Sequence, residues 1–204
     1  MLAPDAREAL DRTIRSLCDE GRHDEATSKT LRAYGPELMG FLIATAKDDA
    51  AADDAFGSAC EHIWKGLPRF EWRSSLRTWL YAVTRNALRM VQRGAARKRE
   101  VPLSAAAPQD LVAEVRTRTR TFLRTETKDA VAELRRQLDP EDQQLLLLRV
   151  GRKMSWIDIA QVMNEDTPLD EDALKRAAAR LRQRFSRAKA QLEKLVLVHG
   201  LKDG

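Results

Sequence analysis

The chain has 204 residues, enough for one large domain or two small ones. Apolar residues make up 43%, and Ala (29) and Leu (26) far outnumber Val (10) and Ile (5), so the composition favours a helical core and argues against a large sheet. The net charge of +5 points to a polyanion as partner. The longest apolar runs are only a few residues, and Met1 to Leu17 is charged throughout, so a membrane span and a signal peptide are not expected.

Periodicity predicts helices at about 5–20, 24–33, 36–47, 50–65 and 75–93. Pro36, after Gly35, suits a first helical position, which puts a break ahead of it. Asp48 and Asp49 suit the cap of the next helix. Leu38, Phe41 and Leu42 repeat at helical spacing, as do Phe56, Cys60, Ile63 and Trp64, and both sets read as core. Gly66-Leu67-Pro68 ends the fourth helix, and a short loop runs to Ser74. Residues 94–109, rich in small residues with two prolines, read as a linker. Asp110 to Leu138 is helical again, with a break near Arg124. Its first half has few apolar residues and looks dependent on a partner for order.

The C-terminal part is the most regular. Pro140 opens a helix through Val150, and Gly151 ends it. Ser155 to Asp158 is a capping-box pattern leading into a short helix to Met163. Asn164 to Asp172 is a turn. A long helix follows to about Val196. Leu174, Leu181, Ala188 and Leu195 recur on one face of it with Ala178, Phe185 and Leu192. Arg176, Arg180, Gln183 and Arg187 lie opposite that face. A short helix, a turn and a long helix with a basic outer face form the helix-turn-helix pattern, in which Arg and Lys suit guanine and Gln suits adenine in the major groove. A plain bundle helix has the same charged outer face.

Charge is unevenly spread. Residues 1–68 carry a net of −5 and residues 69–204 a net of +10, and 69–99 hold nine basic residues against one acid, Glu71. Within that block Trp64, Phe70, Trp72, Trp79 and Tyr81 alternate with Arg69, Arg73, Arg77, Arg85 and Arg89. Rings that stack on bases and cations that hold the backbone suit single-stranded nucleic acid. Trp64 reads better as core, whereas Phe70 and Trp72 sit in a loop. Enzyme signals are poor. His23, His62 and His199 are scattered, no phosphate-binding glycine loop occurs, and Asp53-Asp54 lacks further ligands for a metal. No catalytic residue, cofactor or metal is expected. Two cysteines, Cys18 and Cys60, form no disulfide framework and fit a reducing compartment.

Two segments, in order, resemble bacterial RNA polymerase sigma factors of the extracytoplasmic-function (ECF) group in the sigma-70 family. Residues 52–89 resemble region 2, with an acidic helix start, the "LPRF" loop, "RTWLY" and Thr84-Arg85-Asn86. Residues 138–163 followed by Leu181 to Leu192 resemble region 4, whose family form ends in a "VKSRL-x-RAR" helix. Departures are Gly57-Ser58 where the family often has Gln-Glu, about ten extra residues before Leu181, and an extra helix over 1–22.

The resemblance implies an all-α fold: a region 2 domain (1–93), a partly helical linker (94–125) and a region 4 helix-turn-helix domain (126–204). It implies a promoter-specificity subunit in the bacterial cytoplasm, not an enzyme. Core RNA polymerase and promoter DNA would be its partners, with an anti-sigma factor holding it inactive. Asp53, Asp54 and Glu61 would meet the polymerase. Arg69, Phe70, Trp72, Arg73, Arg77, Thr78, Trp79, Arg85, Asn86 and Arg89 would read the −10 element. Lys175, Arg176, Arg180, Gln183 and Arg187 would read the −35 element. The alternatives are a free-standing helix-turn-helix regulator and a helical adaptor without a nucleic-acid role.

Overall fold

The structure, a computed structural model, describes residues 4–94, 109–125, 130–164 and 169–199. These form nine α-helices and no strand. They divide into two compact units, residues 1–125 and 126–204.

The first unit is built on α2 (His23–Thr45), against which α1 (Pro4–Asp19), α3 (Asp49–Gly66), α4 (Leu76–Gln92) and α5 (Gln109–Thr125) all pack. α1 buries Ile14 and Leu17 one turn apart, and its Asp11 accepts a hydrogen bond from the Tyr34 hydroxyl at 2.6 Å. Asp48 caps α3 by accepting from the Ala51 amide at 2.8 Å. Phe56, Cys60 and Ile63 point inward as their spacing requires. Burial pushes the Cys60 thiol up to about 12, so it behaves as a small apolar side chain. Gly57 is also buried.

The expected break at Pro36 does not occur: α2 runs straight through it. Proline removes one intrahelical bond, but Leu31, Tyr34, Leu38, Met39, Phe41 and Leu42 bury both sides of the site. That packing outweighs the local loss. Gly35 has a different role. A Cβ there would lie 2.8 Å and 3.2 Å from the two Val115 methyls of α5. Its bareness lets α5 sit against α2.

The segment read as linker therefore divides in two. Residues 95–108 lie outside the described residues, whereas Gln109–Thr125 is a helix of the first unit that buries Leu111, Val112 and Val115. The partner that its sparse apolar residues call for is α2. Gly35→Ala is expected to cost about 1–3 kcal/mol by overpacking, offset by roughly 0.5–1 kcal/mol of helix preference. A urea melt should show net destabilisation, and Val115→Ala in the same chain should make the two losses clearly less than additive.

The second unit holds α6 (Ala130–Arg135), α7 (Pro140–Leu146), α8 (Trp156–Met163) and α9 (Glu171–Val198). Asp139, Ser155 and Asp170 cap α7, α8 and α9 through the amides of Glu141, Asp158 and Ala173. The helix expected from Pro140 to Val150 is α-helical only to Leu146 and closes in a π turn, Leu147–Gly151. Leu138, Leu146 and Ala188 form a core with Phe185, Leu192 and Leu195 around them. Arg184 of α9 binds Asp139, Glu141 and Asp142, which fixes α9 to the start of α7. The turn residues 165–168 lie outside the described residues.

Candidate nucleic-acid interface

The loop between α3 and α4 starts with a 3-10 turn, Leu67–Arg69, in which Leu67 is buried. It ends at Ser75, whose hydroxyl oxygen accepts from the Thr78 amide at 3.1 Å and caps α4. Between these fixed points the aromatic residues gather. Phe70 stacks on Trp79 at a centroid distance of 4.9 Å and 26°, and Trp72 leans on Phe70 at 4.9 Å and 51°. All three are half-buried rather than fully exposed. Trp72 has φ +57°. A left-handed bulky residue costs about 1–2 kcal/mol, so the loop holds this ring in place against local strain. Arg69 and Arg73 are exposed beside it, with Arg73 paired to Glu71 at 2.7 Å.

The ten residues expected to read the −10 element do not share one surface. Along α4, Trp79, Asn86 and Arg89 face outward or half outward, together with Met90 and Arg93. Arg77, Thr78 and Arg85 lie on the side that carries Tyr81, Thr84 and Leu88, and all three are buried. Arg85 is 1% exposed. Arg77 donates from Nε to Glu37 Oε1 of α2 at 3.0 Å, with a second bond from Nη2, and the Tyr81 hydroxyl donates to the same oxygen at 3.0 Å. Burial works against the Arg77 charge, but Glu37 outweighs it and holds the guanidinium above its ordinary pKa. Arg77 is thus a tie between α2 and α4, not a surface cation. Its helical spacing to Tyr81, Thr84 and Leu88 carried that signal. Counting charges along the chain concealed it.

On α3 the acids separate as well. Asp54 is exposed, and Glu61, two turns on along the same face, pairs with Lys65. Asp53 turns toward α5, where Arg116 donates to its carbonyl oxygen at 2.6 Å and lies 3.8 Å from its carboxylate. In the second unit Arg176, Arg180, Gln183 and Arg187 are exposed on one stripe of α9. Lys175 is exposed too and is held by Glu171 at 2.7 Å. Arg176, Arg180 and Arg187 also line a groove between α8 and α9 with Asn164, Met163 and Leu181.

Two features were not foreseen. Trp156, at the start of α8, carries the Arg149 guanidinium 4.8 Å and the Arg182 guanidinium 5.9 Å from its ring centroid and meets Phe185 edge-on. Its place in the sequence signals only a capping pattern. Arg15 of α1 lies over the Trp72 ring at 5.5 Å. No sequence signal links residues 57 positions apart, and none singled it out.

Residues 30–98 match the family model for sigma-70 region 2. No curated protein matches the chain. The match covers most of α2, all of α3, the aromatic loop and α4, so the aromatic and basic cluster lies inside it. It supports a sigma-70 family sigma factor. The family is one of non-enzymatic transcription factors, and its region 2 implies promoter recognition and binding to core RNA polymerase. Among the described residues no helix is long and apolar enough to cross a membrane.

Proposed function

We propose that this sigma-70 family chain is a promoter-specificity subunit of the ECF group that reads a −10 element with the loop between α3 and α4 and a −35 element with α9. The observation that carries the reading is the ring cluster of Phe70, Trp72 and Trp79, set among cations at the capped start of α4 within the matched segment. Extracting a base from a duplex costs a few kcal/mol. Stacking returns about 1–3 kcal/mol per base on an aromatic ring. Preformed rings therefore supply what strand opening needs. Arg69 and Arg73 are exposed in the loop and Asn86 and Arg89 are exposed or half-exposed further along α4, while Arg77, Thr78 and Arg85 are buried on its inner side.

The exposed face of α3 with Asp54 and Glu61 is the surface we assign to core polymerase, with Asp53 holding α5 behind it. In the second unit α9 enters the major groove with the Arg176, Arg180, Gln183 and Arg187 stripe. Lys175 joins once it leaves Glu171. An anti-sigma factor is the partner expected to keep these surfaces covered until a signal arrives.

Exchanging residues 67–74 for those of another family member tests the loop. The chimera is expected to change the preferred −10 base in transcription with core polymerase while the −35 preference stays the same. An unchanged −10 preference would move specificity to the outer face of α4.

A further inference from the structure

α1 lies ahead of the segment that matches sigma-70 region 2, so the match does not account for it. Its inner face is explained by packing: Ile14 and Leu17 are buried. Arg15, between them, is exposed and reaches the aromatic loop, where its guanidinium lies 5.5 Å from the Trp72 centroid. Trp72 ends the ring series, with Phe70 between it and Trp79. Trp79 stacks on Phe70, and Phe70 meets Trp72 only at a tilt of 51°, so Phe70 does not lie flat on it. The position over the ring, where a base would stack, is held by the Arg15 cation.

An exposed cation on an aromatic ring is bound more weakly than a stacked base. A base that reaches Trp72 therefore displaces Arg15. Asp11, one turn earlier on α1, already accepts from Tyr34, so it is engaged elsewhere. The displaced cation is left beside a strand whose phosphates flank the stacked base, and a guanidinium forms strong charge-assisted bonds to phosphate.

We propose that Arg15 of α1 is a nucleic-acid-binding residue of the loop: it covers Trp72 in the free chain and takes a backbone phosphate when a base stacks there. This rests on the single-strand reading of the loop given above.

The test uses the full chain and a fluorescein-labelled 12-nucleotide oligodeoxyadenylate, with affinity measured by anisotropy over a series of salt concentrations. Trp72→Gly removes the ring and also the backbone strain at φ +57°, so it leaves the loop foldable. It is expected to weaken binding about tenfold, as loss of one stacked base does. Arg15→Ala is expected to weaken binding about threefold to tenfold and to lower the salt slope by about 0.7, the single-strand value for one phosphate contact. Arg15→Lys should keep most of the slope. The deciding comparison is the double variant. Because the phosphate contact forms only when a base is stacked on Trp72, Arg15→Ala should cost little in the Trp72→Gly background. Equal losses in both backgrounds would make Arg15 a general surface cation and overturn the proposal. So would unchanged or tighter binding by Arg15→Ala alone, which would make it only a cover. If Trp72→Gly itself binds like the unmodified chain, the single-strand reading of the loop fails, and this inference fails with it.

Discussion

Glu37→Ala is expected to remove about 3–5 kcal/mol from the first unit, the cost of deleting the carboxylate that pairs with a buried guanidinium. Arg77 and Glu37 are 7% and 12% exposed, so water cannot replace the lost carboxylate. The same substitution also removes an acceptor of the Tyr81 hydroxyl. Against unfolding stabilities of roughly 5–15 kcal/mol, a loss of that size is a large fraction of the total and should be plain in a urea melt. Glu37→Gln keeps a hydrogen-bonding oxygen and should cost clearly less. Replacing both members with apolar residues of similar volume should recover most of the loss. Urea melts followed by tryptophan emission in a Trp156→Phe background report on the unit, since Trp64, Trp72 and Trp79 belong to it and Trp156 to the second unit. A loss below about 1 kcal/mol for Glu37→Ala, the size of an exposed pair, would mean that Arg77 finds water or another acceptor, and the account of α4 as anchored through it would be wrong.

Substituting Arg176→Ala and Arg180→Ala together should weaken −35 recognition by about 2–6 kcal/mol, at roughly 1–3 kcal/mol for each base contact. Both side chains are exposed on α9, so the folded unit should melt at an unchanged temperature. The loss should be largest on the preferred promoter and small on scrambled duplex. If both contact only phosphate, binding falls equally on all sequences and the salt slope drops by about 0.9 for each contact. Unchanged binding on every duplex would show that the stripe does not face DNA.

Long, strongly periodic elements were legible in the sequence. Asp48, Ser155 and the 3.6-residue spacing of Phe56, Cys60 and Ile63 state their own local structure, and α3, α4 and α8 begin or end within about two residues of where these signals put them. The misses share a cause, which is tertiary packing that overrides a local rule. Pro36 reads as a start only if the faces around it are not yet known to be buried. α5 reads as linker because its few apolar residues look insufficient, until the gap at Gly35 supplies a seat for Val115. At the site, residue type found the rings and the cations, but type alone could not sort them. Arg69, Asn86 and Arg176 face solvent, while Arg77 and Arg85 lie inside. For α4 the helical phase would have separated them. The approach of Arg15 to Trp72 depends on the packing of α1 on α2 and on a left-handed backbone at Trp72, neither of which has a sequence signature.

The central claim is tested most directly by run-off transcription with purified core RNA polymerase on genomic fragments, with and without the chain. The account predicts that the chain binds core polymerase and yields transcripts from a defined start, downstream of two short shared elements, that core polymerase alone does not make. A chain that binds duplex DNA yet neither associates with core polymerase nor directs any specific start would contradict it and would leave a free-standing helix-turn-helix regulator.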